Sequence, residues 1–189
     1  MKLGVVLARL QPIHNGHLEL IEQAYDENDK VFVFIGSADK FNQRNPIPIN
    51  LRLEMANEAI ETLAVRYQPK MDVRVIPLDD LTDESDNSHD WGFYLYSKIV
   101  TETGTPNFTI YYSDGFEIIT TWFPSFILRN NVSLKLIARG ATCAGISATK
   151  VRSLIEAENW DELKKWVPDS VFDRKETLKM HIELAKLIK

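Results

Sequence analysis

The sequence predicts an α/β fold, an open, doubly wound sheet of five parallel strands with a C-terminal helical tail, and three observations predict it. Short runs rich in Val, Ile and aromatic residues recur through the first three quarters of the chain. Segments with apolar residues three and four positions apart separate them, so strand and helix alternate. The runs are apolar almost throughout instead of at every second residue, the pattern of strands covered on both faces.

The strand-like runs are Leu3 to Ala8, Val31 to Gly36, Val73 to Leu78, Phe108 to Tyr112 and Leu134 to Ala138. Helical spacing shows in Leu18, Ile21 and Tyr25, and again in Leu53, Ala56, Ala59, Ile60 and Leu63. Beyond the fifth run, Ser147 to Glu158 and Asp161 to Val167 read as helices. A polar helix from Ser170 to Lys189 follows, with Val171, Leu178, Ile182, Ala185 and Leu187 as an interrupted apolar stripe. Residues 1–158 therefore form the α/β domain and 159–189 a helical extension of it. Asp79 to Asp90 is the one long acidic stretch, expected to be a mobile, solvated loop.

At 189 residues, 44% apolar and 26% charged, the chain has the composition and length of one globular domain. Its 22 basic and 27 acidic side chains give a net charge of −5 and a pI near 5.4. That balance argues against nucleic acid as a partner while allowing a local basic pocket for one nucleotide. The single Cys143 excludes an internal disulfide and a cysteine zinc cluster, fits a reducing compartment, and is expected to be a small buried hydrophobe. The start is apolar for only about five residues before Arg9, and no run reaches about 18 apolar residues, so neither a signal peptide nor a membrane span is expected. A cytoplasmic location follows, with no membrane partner; a homo-oligomer stays open.

In a doubly wound sheet, ligands sit at the carboxyl ends of the strands. The loop leaving the first strand reads Arg9-Leu10-Gln11-Pro12-Ile13-His14-Asn15-Gly16-His17 and runs straight into a helix. His14 and His17 stand three apart at a helix start, where unpaired backbone N–H groups favour an anion, and Gly16 lets a phosphate approach the backbone. A zinc site would need a third ligand at matching spacing, so no protein-held metal is expected. After the fifth strand, Ser147 is a natural N-cap, and Thr149, Lys150 and Arg152 in the first turns of the next helix offer hydroxyl and cationic donors. Two helix starts facing one crevice would grip one polyphosphate from both sides.

His14-Asn15-Gly16-His17 and Ile146-Ser147-Ala148-Thr149-Lys150-Val151-Arg152 resemble the two marks of the nucleotidyltransferase superfamily, which implies a Rossmann-like fold over residues 1–158. Within it, Arg9-Leu10-Gln11-Pro12 is similar to the lead-in of the archaeal-type nicotinamide mononucleotide adenylyltransferases, with Ala8 and Leu10 in place of Gly and Phe. Gly36-Ser37-Ala38, Asn45-Pro46 and Arg52 also follow that family's pattern, with Ile47 and Leu51 replacing its Phe and Glu. Pro77-Leu78-Asp79-Asp80 and the later Trp91 resemble its Pro-x-x-Asp and following Trp.

The resemblance implies an adenylyltransferase that joins nicotinamide mononucleotide to the AMP moiety of ATP, releasing pyrophosphate, with Mg²⁺ bound to ATP. It implies His14, His17 and Arg152 as catalytic residues, with Ser147, Thr149, Arg9, Gly16 and Arg52 around the ATP phosphates. Gly36 and Ser37 would contact the acceptor nucleotide, and Asp79 and Trp91 its nicotinamide end. Pantetheine-phosphate adenylyltransferase, a cytidylyltransferase and a non-catalytic nucleotide sensor are the competing readings. His14 speaks against the first, and the presence of both histidines with Arg152 against the last.

Overall fold

A computed structural model describes the chain except for residues 68–71, 84, 139–144 and 189. Cys143 lies outside the described residues. Five strands, β1 (Leu3–Ala8), β2 (Lys30–Ile35), β3 (Val73–Pro77), β4 (Phe108–Ser113) and β5 (Val132–Ile137), form one sheet. Every pairing is parallel and the order is β3-β2-β1-β4-β5. The chain thus moves outward from β1 to β3, then returns to the other side of β1, and this reversal opens a crevice at the carboxyl ends of β1 and β4.

Alternation along the central strands separates two layers. Val6, Val31, Val33 and Ile35 face a cluster completed by α1 (Asn15–Asp26) and α2 (Ile49–Ala64), including Ile21, Met55 and Ile60. Val5, Leu7, Phe32 and Phe34 face the opposite layer, built from α3 (His89–Thr103) and α4 (Ser125–Asn130). Val5, Val6, Val33 and Phe34 have no exposed surface. Burying each such side chain stabilises the fold by roughly 1.5–3 kcal/mol, which explains why the strands read as continuous apolar runs.

After β5 come α5 (Ala148–Glu156), α6 (Trp160–Trp166), α7 (Asp169–Phe172) and α8 (Lys175–Ala185). Leu163, Val167, Val171, Leu178 and Ile182 from this tail join the same cluster as α1 and α2. The expected single helix from Ser170 is broken. Arg174 leaves helical geometry at φ −101°, ψ 12°, and its guanidinium spans both carboxylate oxygens of Glu58 on α2, at 2.8 and 2.6 Å. The break sets α7 on α2 and turns α8 back onto α5, so a polar residue inside a helical pattern serves a tertiary ion pair instead.

The acidic stretch is largely exposed, as expected of a solvated loop, and side-chain bonds order its described residues locally. Asp83 accepts from the Ser85 N–H, Asp86 accepts from the Ser88 N–H and the Thr82 hydroxyl, and Asn87 accepts from the Trp122 indole. These local side-chain bonds fold its described residues into successive turns against the sheet end.

Candidate active site

A cleft of about 530 Å³ opens where β1 and β4 diverge. Its volume lies in the range of a small-molecule site. One end is cationic. Arg9, His17, Thr149 and Arg152 line it, contributed by the β1 loop and by the starts of α1 and α5. The lining also includes Asp80, Asp83 and Asp86 with Arg44, Trp91, Phe116 and Trp122.

The β1 loop ends in His14, the N-cap of α1, which is 5% exposed. Its backbone N–H donates to Nδ1 of His17 at 3.3 Å, and the two rings stack with centroids 3.7 Å apart. With Nδ1 accepting, the proton of a neutral His17 ring sits on Nε2, so the ring presents a donor. Gly16 does not line the cleft. A Cβ there would stand 3.1 Å from the Ile146 side chain and 3.3 Å from the His14 ring, so glycine permits this packing where the sequence suggested close approach of a phosphate.

Arg152 reaches back from α5 to donate to the Gln11 carbonyl at 2.8 Å, with Thr149 Oγ1 3.4 Å from its other terminal nitrogen. Burial and then the neighbouring Arg9 push its pKa down. Repulsion between guanidinium groups at a cleft wall is relieved by a bound anion. Ser147 caps α5, its hydroxyl accepting from the Lys150 N–H at 3.2 Å. It sits behind the wall. Lys150 itself lies over the Trp166 ring.

Arg52, expected as a phosphate clamp, does not line the cleft. It has no exposed surface, and its terminal nitrogens donate to the carbonyls of Arg9, Gly36 and Ser37 at 2.8, 2.9 and 2.9 Å. Burial first, then Arg9, pushes its pKa down to about 10. The side chain braces the ends of β1 and β2. Gln11 braces the same region, its amide exchanging bonds with both backbone groups of Ile47 at 2.9 and 3.2 Å.

Gly36 and Ser37 line the cleft as expected, Ser37 in the left-handed region at φ 51° with its hydroxyl on Asp80 at 3.1 Å. Asp79 does not reach the cleft. Its side chain is exposed and its carbonyl accepts from Tyr94, leaving Asp80 as the carboxylate in the wall. Trp91 is 7% exposed and packs edge-on against Trp122, 5.9 Å between centroids, yet also lines the cleft. Sequence reading missed Arg44 and the turn after β4, where Ser113, Asp114, Gly115 and Phe116 close one wall. The available signal was Ser-Asp-Gly directly after an apolar run, a turn at a strand end.

The profile of the cytidylyltransferase-like family matches residues 8–186. The chain is 30% identical over 179 residues to a nicotinamide-nucleotide adenylyltransferase of Thermococcus onnurineus, a match covering 90% of this chain and 80% of that one. Among solved structures, it resembles a bifunctional NMN adenylyltransferase/ADP-ribose pyrophosphatase of Francisella tularensis, complexed with AMP and manganese. That match has a TM-score of 0.61 and 21% identity, covering 82% of this chain and 42% of the other, so this chain spans less than half of that bifunctional protein. A nicotinic acid mononucleotide adenylyltransferase of Plasmodium falciparum, complexed with NaAD, matches with a TM-score of 0.60 and 14% identity over 96% and 98% of the two chains. At these identities the two structures speak for the fold.

Proposed function

The chain belongs to the cytidylyltransferase-like family, within which we infer that it is a nicotinamide-nucleotide adenylyltransferase, forming NAD and pyrophosphate from ATP and nicotinamide mononucleotide. The observation that carries this reading is the convergence of two helix starts, α1 with His17 and α5 with Thr149 and Arg152, on the cationic end of one cleft. Backbone N–H groups, the helix dipoles and Arg9 make that end a polyphosphate cradle.

In the reaction, a phosphate oxygen of the mononucleotide attacks the α-phosphorus of ATP. The bond from that phosphorus to the bridging oxygen of the β-phosphate breaks, and pyrophosphate leaves with the electron pair. No protein nucleophile is required, so the protein contributes alignment and stabilisation of charge. His17 donates to the α-phosphate oxygens as charge builds there, and His14 fixes its ring. Arg152, Arg9 and Thr149 hold the departing phosphates, while Ser147 acts by capping the helix that presents them.

Among the described residues, no group of three or more His, Cys, Asp or Glu side chains is placed to hold a metal ion. The Francisella neighbour is complexed with AMP and manganese, and on this reading a divalent ion would be carried by ATP's own phosphate oxygens and water. Mg²⁺ in that position would neutralise the leaving phosphates. On this reading Gly36 and Ser37, beside Arg9, meet the acceptor, and its cationic pyridinium ring lies against Trp91, with Asp80, Asp83 and Asp86 also in the lining. A nicotinate carboxylate would meet those acids unfavourably.

Pyrophosphate release with ATP or CTP and a panel of acceptors tests the reading. Nicotinamide mononucleotide with ATP is expected to be the fastest pair, ahead of nicotinate mononucleotide. Faster turnover of phosphopantetheine or of CTP would reassign the chain within its family, and nucleotide binding without release would make it a sensor.

A further inference from the structure

Behind the cationic end of the cleft, the last turn of α6 touches both helix starts that face it. The side-chain amide of Asn15, the first residue of α1, donates to the Lys165 carbonyl at 3.1 Å across 150 residues of sequence. That carbonyl lies in a last helical turn, where intrahelical donors run out. The next residue, Trp166, lies beneath the ammonium of Lys150 in the first turn of α5, with Nζ 4.6 Å from the ring centroid. Its indole N–H donates to Glu162 at 2.8 Å, which fixes the ring, and its face packs on the core cluster shared with α1.

The sheet alone does not set the distance between α1 and α5. They follow β1 and β5, which are not neighbours because β4 lies between them. Two helix starts of the same partial charge also repel when they face one another. Arg152 on the Gln11 carbonyl provides one tie, but its guanidinium is also the group that must turn to a phosphate. Lys165 and Trp166 hold the same two helices without using any cleft-facing group.

We propose that this Lys165–Trp166 turn is a positioning clamp that sets the spacing of His17 against Thr149 and Arg152, with Asn15 and Trp166 as its positioning residues. The proposal rests on reading the cleft as an ATP site. Misplacing one wall by about 1 Å is enough to cost up to about 10²-fold in the reaction. The clamp therefore makes the C-terminal tail part of the phosphate cradle's construction.

The test is calorimetric titration with Mg²⁺-ATP, paired with steady-state kinetics, on Asn15→Ala, Trp166→Ala, Trp166→Phe and the double alanine variant. Ile127→Ala, in α4 on the opposite face of the sheet and in the other core cluster, is the control for general loss of stability. Asn15→Ala and Trp166→Ala should each lower kcat/KM for ATP by about five- to thirty-fold, with KM for the mononucleotide within about two-fold of the parent. The double variant should be no worse than the weaker single one, because both act through one spacing. Trp166→Phe keeps a ring face for Lys150 and should restore most activity. Parental ATP affinity and kcat/KM in the alanine variants would overturn the clamp, as would losses that Ile127→Ala reproduces at equal melting temperature. A parent protein that binds no ATP would instead overturn the ATP-site reading itself.

Discussion

The backbone N–H of His14 donates to Nδ1 of His17 at 3.3 Å, which leaves Nε2 as the donor nitrogen of His17. A donor held this way is oriented before substrate arrives, so under the proposed function its contribution would be realised as charge develops on the α-phosphate. His17→Ala is expected to lower kcat by about 10²–10³-fold with little change in melting temperature. An unchanged kcat with a lowered melting temperature would assign the ring to packing alone.

Trp91 belongs to the core and to the cleft at once, since it is 7% exposed, packs on Trp122 and still lines the cavity. Removing the indole should therefore cost stability, roughly 3–5 kcal/mol for Trp91→Ala. Trp91→Phe keeps most of the packing and separates the two roles. It should weaken nicotinamide mononucleotide by about three- to ten-fold, through loss of indole stacking on a cationic ring, and leave ATP affinity unmoved. Calorimetric titration with the mononucleotide reads the affinity of both proteins, and tryptophan-fluorescence quenching seen in the parent should be largely lost in the variant. Parental affinity in Trp91→Phe would move the acceptor ring elsewhere.

Arg52 supplies a test of a different kind, because its residue type suggests phosphate binding and its surroundings do not. Its planar guanidinium bonds three carbonyls at once, a geometry that an ammonium cannot reproduce. Arg52→Lys is expected to destabilise the protein by about 3 kcal/mol in chemical denaturation, as buried carbonyls lose their donors. A weakened ATP affinity with unchanged stability would return Arg52 to the phosphate site.

The strands were legible because the sheet is parallel and covered on both faces, so each is a nearly unbroken apolar run. β1 was read at its observed limits, and the other four were placed within two residues at either end. The two motifs that bring His17, Thr149 and Arg152 to the cleft were legible because they couple a helix start to His, Thr and Arg side chains in one short stretch. Arg52 was not, since its three acceptors lie 15, 16 and 43 residues away and only the folded strand ends assemble them. Asp79 and Asp80 differ by one step along the chain leaving β3, and the backbone there sends Asp80 to the cleft and Asp79 to solvent. The wall after β4 was missed because its Ser-Asp-Gly turn has no charge pattern to mark it. Its Gly115 adopts φ 84°, a conformation that suits glycine. The tail's break at Arg174 depends on Glu58, a partner 116 residues distant.

Transfer of label from ATP tests adenylyl transfer most directly. With nicotinamide mononucleotide, Mg²⁺ and ATP labelled at the α-phosphorus, the account predicts that label appears in NAD in one-to-one ratio with released pyrophosphate. With ATP labelled at the γ-phosphorus, all label should leave in pyrophosphate. Label from the γ-position in the mononucleotide product, or α-label retained in ADP or free AMP with no NAD formed, would contradict attack at the α-phosphorus and the function built on it.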